Sequence, residues 1–98
     1  MQELCFSWDR RKATQNERKH GVTFEEAKSA FLDEYALLID DPDHSDQEER
    51  FVLLGVSSQL RVLVVCHCYR KSETEIRTIS ARKANRQERA DYSRRVPR

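Results

Sequence analysis

The sequence lacks any long apolar run, and this absence excludes a helix that crosses a membrane. Its longest uninterrupted apolar stretch, Val62 to Cys66, has five residues, whereas a spanning helix needs about 20. The opening residues, MQELCFSWDRRK, also lack the apolar centre of a signal peptide. We therefore expect a cytoplasmic protein with no membrane partner.

Cysteine is scarce, and its three copies are an odd number. An odd count fits a disulfide framework poorly and fits a reducing compartment well. The segment Cys66-His67-Cys68 contains metal-ligand types, but alternation along a strand directs the two thiols to one face and the imidazole to the other. We therefore expect no metal site there and no cofactor.

Internal repeats and low-complexity segments are also absent from the 98 residues. A chain of this length is sufficient for one hydrophobic core and too short for two. We expect a single domain over residues 1–98, with the last few residues as a flexible tail.

Charge is abundant and unevenly distributed, although the net charge is only +1. Residues 1–28 contain six basic and five acidic side chains, whereas residues 29–49 contain eight acidic side chains and no Lys or Arg. Residues 50–98 contain twelve basic and four acidic side chains, so the three segments sum to +1. This separation permits one strongly positive face, which would suit a polyanion. The alternative is that these charges form ordinary solvated surface.

The first third of the chain predicts a strand followed by a helix. Residues 4–8 alternate between apolar and polar or small side chains, as in a short strand. Asp9 is a suitable N-cap for a helix over residues 10–19, which ends at Gly21. One side of this helix carries three polar residues at a spacing of four: Lys12, Asn16 and His20.

A second helix is predicted over residues 24–32. Thr23 and Glu26 have the spacing of a capping box, and Val22 and Ala27 are placed to form a hydrophobic staple. We therefore expect this helix to begin directly after Thr23.

An acidic segment follows the second helix. Residues 35–39 are a β-prone run, and the loop DDPDHSDQEE comes next. Read as a calcium loop starting at Asp41, this segment has Asp46 where glycine is required and Val52 where glutamate is required. It therefore resembles an EF-hand only superficially.

The remaining chain predicts an antiparallel meander and a last helix. The helix covers residues 86–95 and is capped by Asn85 and Glu88. Three strands precede it, of which the middle one is apolar on both faces and therefore central: 50–56, 61–69 and 75–81. The predicted order is β-α-α-β-β-β-α, an α+β fold with helices packed against an antiparallel sheet.

The end of the third meander strand is a candidate phosphate site because it combines basic side chains with the start of a helix. The residues are Arg77, Ser80, Arg82 and Lys83. Simple alternation places Arg77 on the opposite face from Arg82. Both therefore serve one pocket only if the strand twists, bulges or ends near Ser80.

RNA cleavage without a metal requires a base for the 2′-OH proton, cations for the phosphate and an acid for the leaving oxygen. The candidates for the base are His20, His44 and Glu49. The candidates for the cationic clamp are Arg50, Arg77 and Arg82. A histidine or Tyr92 is the candidate acid. The alternative for each histidine is a structural role in a cap, a loop or the sheet.

Five sequence blocks, in order and over residues 6–92, resemble the BrnT family of bacterial toxins. They are F-S-W-D-x-x-K, N-x-x-K-H-G-V-T-F-E-E-A, D-D-P-D-H-S-D-Q-E-E-R-F, G-x-S and I-R-T-I-S-A-R-K-A-x-x-x-E-R-x-x-Y. The resemblance implies a ribonuclease with a RelE-like fold that inhibits growth by cleaving RNA. It also implies neutralisation by a BrnA-like antitoxin with a ribbon-helix-helix domain. Because such domains are dimeric, we expect a 2:2 complex that reaches operator DNA only through the antitoxin.

Carried over by motif, the resemblance adds Asn16 and Glu88 to the positions of interest but does not separate chemical from structural roles. We predict five catalytic residues, His20, Glu49, Arg50, Arg77 and Arg82. We predict four RNA-binding residues, Lys12, Ser80, Lys83 and Tyr92, and no metal ligand.

Three functions are compatible with these observations. The first is a metal-independent endoribonuclease toxin of a type II toxin-antitoxin pair. The second is a noncatalytic module, derived from such a toxin, that binds an antitoxin or acts as a corepressor. The third is a metal nuclease that uses acidic and histidine side chains of the acidic segment: Asp40, Asp41, Asp43, His44 and Glu49.

Overall fold

The computed structural model describes residues 4–41, 49–71 and 74–97. The elements follow the order β1 (Cys5–Ser7), α1 (Arg10–His20), α2 (Phe24–Ala30), β2 (Leu37–Asp40), β3 (Phe51–Val56), β4 (Val62–Arg70), β5 (Glu75–Lys83) and α3 (Arg86–Ser93). The predicted α+β class is confirmed. The β-prone run before the acidic loop forms β2, a strand that the predicted order omits.

The five strands form one sheet in the order β1-β5-β4-β3-β2. Strands β2 to β5 are antiparallel neighbours, which confirms the predicted meander and the central position of β4. The sheet is mixed, because β1 pairs in parallel with β5 through Cys5–Ser7. A parallel pair requires a long connection, which is supplied here by the two helices and three strands between β1 and β5.

The first two helices begin where the sequence predicts. Asp9 occupies the N-cap of α1 without a side-chain capping bond, and the helix ends at Gly21 in the left-handed conformation, with φ of 69°. The N–H of Glu26 donates to the Thr23 hydroxyl at 3.0 Å, which caps α2. Helix α2 ends at Ala30, two residues before the predicted end.

Glu26 binds residues of the β3–β4 connection and does not form the predicted capping box. Its carboxylate is buried and accepts hydrogen bonds from Ser57 Oγ at 2.6 Å and Arg61 Nε at 2.9 Å, so it does not close the capping box on Thr23. The bond from Arg61 holds the pKa of Glu26 below its ordinary value. This pair fastens the β3–β4 connection to α2.

Helices cover the two faces of the sheet unequally. Helices α1 and α2 pack on one face, here called the helix face, whose core residues are Val22, Phe24, Ala27, Ala30, Leu53, Leu63, Val65 and Ala81. Helix α3 covers only one end of the other face, here called the cleft face, where it packs through Tyr92 against Leu54 and Val64. Among the described residues, no other helix packs on the cleft face.

The Cys66-His67-Cys68 segment lies in β4 and divides between the two faces, as predicted. His67 is fully buried on the helix face, where its ring lies 4.9 Å from the Phe31 ring and 5.3 Å from the Tyr69 ring, centroid to centroid. Cys66 lies on the cleft face. This arrangement makes His67 a core residue and separates its imidazole from the Cys66 thiol.

Protonation of His67 should destabilise the fold. Burial lowers the pKa of His67 below its ordinary value of 6.5, so the unfolded chain binds this proton more readily than the folded one. Stability should therefore fall as the pH drops below about 6.5. We expect His67→Leu to weaken this pH dependence in urea unfolding measured between pH 7.5 and pH 5. An equally steep dependence in the variant would assign the effect to other groups.

Within the described ranges, no helix is long and apolar enough to span a membrane.

Candidate functional site

A β-bulge in β5 brings the predicted phosphate-binding residues to one face of the sheet. Thr78 pairs with His67 and Ser80 pairs with Cys66, so Ile79 is an extra residue in β5. An extra residue reverses the alternation that follows it. Arg77, Ser80 and Arg82 therefore all lie on the cleft face. The bulge that Arg77 and Arg82 need in order to share one face is present.

The register arranges the cleft face in rows across β3, β4 and β5. One row is Val52, Cys66 and Ser80, and the next is Leu54, Val64 and Arg82. Continuing the β3 register by one residue places Arg50 in the row of Cys68 and Arg77. Basic side chains therefore flank Cys66 from both neighbouring rows.

A cleft of about 280 Å³ opens on this face and is called the central cleft below. Its floor is formed by Val52, Val64 and Cys66, and the remaining lining residues are Asp41, Arg50, Ile79, Ser80 and Arg82. Burial raises the pKa of the Cys66 thiol, and the nearby Asp41 carboxylate raises it further. The central cleft thus combines an apolar floor with a charged rim of both signs.

A second cleft, called the side cleft below, lies between α1 and the β5 bulge. It is lined by Lys12, Gln15, Asn16, Lys19, His20, Ile79 and Ser80. Ile79 and Ser80 belong to both clefts, so they form a ridge between them. His20 and Arg82 consequently stand on opposite sides of this ridge.

Asn16 has a structural position within the side cleft. Its Nδ2 donates to Ala81 O at 2.8 Å and to Val22 O at 2.9 Å, and its Oδ1 accepts from Ala81 N at 3.0 Å. Strand β1 pairs with β5 only as far as Arg77. Asn16 therefore replaces a strand partner for β5 beyond the end of β1, and it fixes α1 beside the bulge.

The guanidinium of Arg82 is oriented by the N-terminal turn of α3. Two parallel hydrogen bonds of 2.8 Å join it to the two carboxylate oxygens of Glu88. Glu88 in turn completes the capping box with Asn85. The pairing raises the pKa of Arg82 and lowers the pKa of Glu88. Arg82 also lines the central cleft.

Tyr92 lies away from both clefts. It is 8% exposed, and its hydroxyl donates to Asp33, which also accepts from the Val56 N–H at 2.9 Å. Burial, together with this bond, raises the pKa of Tyr92 to about 12. These contacts favour a role in docking α3 on the sheet.

Three other predicted residues also lie outside the clefts. Glu49 is exposed just before β3, and Lys83 is exposed on the helix-face side of β5, opposite Leu63. Arg77 shares the cleft face but lies one row beyond the central cleft. His44 falls outside the described residues.

Of the five side chains in the metal-nuclease alternative, the structure describes three: Asp40, Asp41 and Glu49. Across residues 4–41, 49–71 and 74–97, no group of three His, Cys, Asp or Glu side chains is placed to hold a metal ion. Asp43 and His44, which belong to this alternative, lie outside those ranges.

Several lining residues were not predicted as RNA ligands. Lys19 follows Lys12 by seven residues, a helical spacing that indicates a shared side. Val52, Val64 and Cys66 carry no chemical signal in the sequence, because they resemble ordinary strand residues. Their role as a floor depends on α3 covering only part of the sheet.

Comparison with known proteins identifies the family. Residues 8–88 match the family model described as the ribonuclease toxin BrnT of type II toxin-antitoxin systems. No curated protein sequence matches significantly. The crystal structure of the Brucella abortus ribonuclease toxin BrnT is similar in fold, with a TM-score of 0.55 and 23% identity over 88% of this chain and 100% of that one.

Proposed function

Since the chain belongs to the BrnT family of ribonuclease toxins of type II toxin-antitoxin systems, we propose that it is a metal-independent endoribonuclease. The single observation that carries the proposal is the ridge of Ile79 and Ser80, with His20 on one side and Arg82 on the other. An RNA backbone that follows this ridge has an imidazole and a fixed guanidinium within the same site.

The side cleft suits the phosphate backbone. Lys12 and Lys19 add two positive charges beside His20, and basic side chains supply most of the affinity of proteins for nucleic acids. Arg82 adds a positive charge beside the ridge, and its pairing with Glu88 holds this guanidinium in place. Arg77 extends the positive charge along the cleft face to a neighbouring phosphate.

The proposed reaction uses the 2′-hydroxyl of the substrate as the nucleophile. His20 takes the proton from this hydroxyl while the 2′-oxygen attacks phosphorus. The bond from phosphorus to the 5′-oxygen breaks, and the 5′-oxygen takes a proton from water in the open cleft. Arg82 stabilises the charge that develops on the phosphate oxygens. The products are a 2′,3′-cyclic phosphate and a 5′-hydroxyl end.

Three of the predicted site residues take no part in the proposed reaction: Glu49, Lys83 and Tyr92. Glu49 and Lys83 are exposed outside the two clefts, and the Tyr92 hydroxyl is engaged by Asp33. Arg50 lines the central cleft, where its position suits recognition of the RNA.

Cleavage of single-stranded RNA should proceed in the presence of EDTA, because this mechanism uses only side chains and the substrate hydroxyl. The products should carry 2′,3′-cyclic phosphate ends, which mass spectrometry distinguishes from 3′-hydroxyl ends. A matched oligonucleotide with deoxyribose at the cleaved position should remain intact. Cleavage that requires an added divalent ion would support the metal nuclease instead.

A noncatalytic antitoxin-binding or corepressor module is the second candidate. The pairing of Arg82 with Glu88 favours it, because two N–H donors of Arg82 are already bound to a carboxylate of the protein itself. Absence of cleavage with EDTA, with divalent ions and with ribosomes would select this candidate.

The partner we propose is a BrnA-like ribbon-helix-helix antitoxin in a 2:2 complex. Acidic antitoxin side chains would meet the basic groups around the ridge, which would speed association and set its orientation. Operator DNA would be bound only by the antitoxin. We expect most of the acidic stretch, residues 33–49, to lie outside this contact, with Asp41 of the central cleft as the exception.

The antitoxin should therefore compete with RNA for the toxin. Light scattering of the copurified pair should give the mass of two toxins and two antitoxins, and a fluorescent RNA should be displaced by added antitoxin. A complex that binds RNA as tightly as the isolated toxin would show that the two surfaces are separate.

A further inference from the structure

The central cleft has a composition that a phosphate alone does not explain. A carboxylate that lines a cleft repels an anion there, and Asp41 lines this cleft together with Arg50 and Arg82. The floor of Val52, Val64 and Cys66 is apolar. A flat ligand with an apolar face and with donors and acceptors on its edge would satisfy all of these groups, and a nucleobase is such a ligand.

Asp41 and Arg50 stand side by side at the far wall of the cleft. The Asp41 N–H donates to Arg50 O at 2.9 Å, which continues the antiparallel pairing of β2 with β3. Opposite residues of such a pair direct their side chains to the same face of the sheet. This wall therefore presents a carboxylate acceptor next to a guanidinium donor.

The near wall is the ridge, where the RNA backbone would run. Strands β2 and β5 are three strand spacings apart, roughly 14 Å, and the side chains on both walls narrow this gap. A base attached to a ribose on the ridge would lie over the apolar floor with its edge toward Asp41 and Arg50. The longer purines span this gap better than pyrimidines.

We propose that the central cleft is a guanine-binding subsite that selects the nucleotide beside the cleaved bond, an inference that rests on the proposed function. The Watson–Crick edge of guanine has two adjacent donors, N1–H and the 2-amino group, followed by the acceptor O6. The two donors match the two oxygens of Asp41, and O6 matches a donor of Arg50. The corresponding edges of adenine, cytosine and uracil lack two adjacent donors. Arg50 is thus a specificity residue, and Arg82 remains at the phosphate.

Nucleotide binding tests this assignment without requiring cleavage. Titrations of the purified full chain with 5′-GMP, AMP, CMP and UMP, followed by NMR, should show GMP binding about tenfold or more tightly than the others, the scale of one good bidentate contact. Inosine 5′-monophosphate, which lacks only the 2-amino group, should bind more weakly than GMP.

Asp41→Asn is the decisive variant, because it replaces one acceptor oxygen with a donor at constant size. It should remove the preference of GMP over inosine monophosphate, whereas Asp40→Asn should retain it. Asp40→Asn is the matched control because it removes the same charge one residue away, from a side chain that is exposed. A circular dichroism spectrum checks that the variant is folded. If the variant unfolds, the affinities of the wild-type chain for GMP and for inosine monophosphate still test the subsite, and equal affinities would overturn it.

The outcomes separate this inference from the proposed function. Selective GMP binding without RNA cleavage would overturn the ribonuclease proposal and support the subsite. Cleavage with equal binding of the four nucleotides, or with a GMP preference unchanged in Asp41→Asn, would overturn the subsite.

Discussion

His20→Ala should lower the rate of RNA cleavage by a factor of about 100 or more, the usual contribution of a positioned general base. His20 is the one histidine that lines either cleft among the described residues, and it adjoins the ridge through the side cleft. His67 is fully buried in the core and has no access to substrate. Removing the imidazole leaves the 2′-hydroxyl without a proton acceptor in this cleft.

The matched variant is Lys19→Ala, which removes a charge from the same cleft and leaves the imidazole in place. It should weaken RNA binding and leave the maximal rate within a factor of a few, whereas His20→Ala should lower the maximal rate itself. Single-turnover cleavage at saturating protein separates the two effects. A His20→Ala protein that cleaves at the wild-type rate would remove His20 from the mechanism.

Asn16→Ala should lower the free energy of unfolding by about 3 kcal/mol, because each buried group left without its partner costs about 1–3 kcal/mol. The substitution removes the partners of the Ala81 N–H, the Ala81 carbonyl and the Val22 carbonyl. Ala81 and Val22 are both fully buried.

Gln15→Ala is the control for Asn16, because it changes the neighbouring, exposed amide of the same helix. Its effect should stay below about 0.5 kcal/mol, as is usual for surface substitutions. Urea unfolding measures both. If Asn16→Ala abolishes cleavage with unchanged stability, then Asn16 acts on the RNA and not on the fold.

The sequence predicts the local structure of this chain well because the signals are local. Gly21 ends α1, Thr23 caps α2, and Asn85 with Glu88 caps α3, each through groups within a few residues of one another. The strands of the meander follow in the same way, because consecutive antiparallel strands require only short connections.

Long-range features are not predictable by the same means. The direction of β1 is set by its pairing with β5, about 70 residues later in the chain. Glu26 has the spacing of a capping box, but the distant Arg61 and Ser57 bind its carboxylate instead. The capping box that the local spacing predicts is therefore not formed, because Glu26 makes buried hydrogen bonds with residues far away in the sequence.

The site depends on such a long-range feature. Regular alternation would place Arg77 and Arg82 on opposite faces of the sheet, and the bulge at Ile79 places them on the same face. Nothing in the letters I-R-T-I-S-A-R marks the extra residue. Likewise, the equal spacing of Lys12, Asn16 and His20 predicts a shared helix side, but it does not show that only Asn16 of the three is buried.

We propose that RNA lies across the Ile79–Ser80 ridge and contacts both clefts. An NMR titration of the chain with a single-stranded oligonucleotide that carries deoxyribose throughout tests it directly, because the ligand binds without being cleaved. Amide shifts should change along residues 12–20 in α1, along residues 77–82 in β5, at Arg50 just before β3 and at Val52 within β3. Shifts confined to the outer surface of α3 or to the β3–β4 turn, with the ridge unaffected, would contradict the claim.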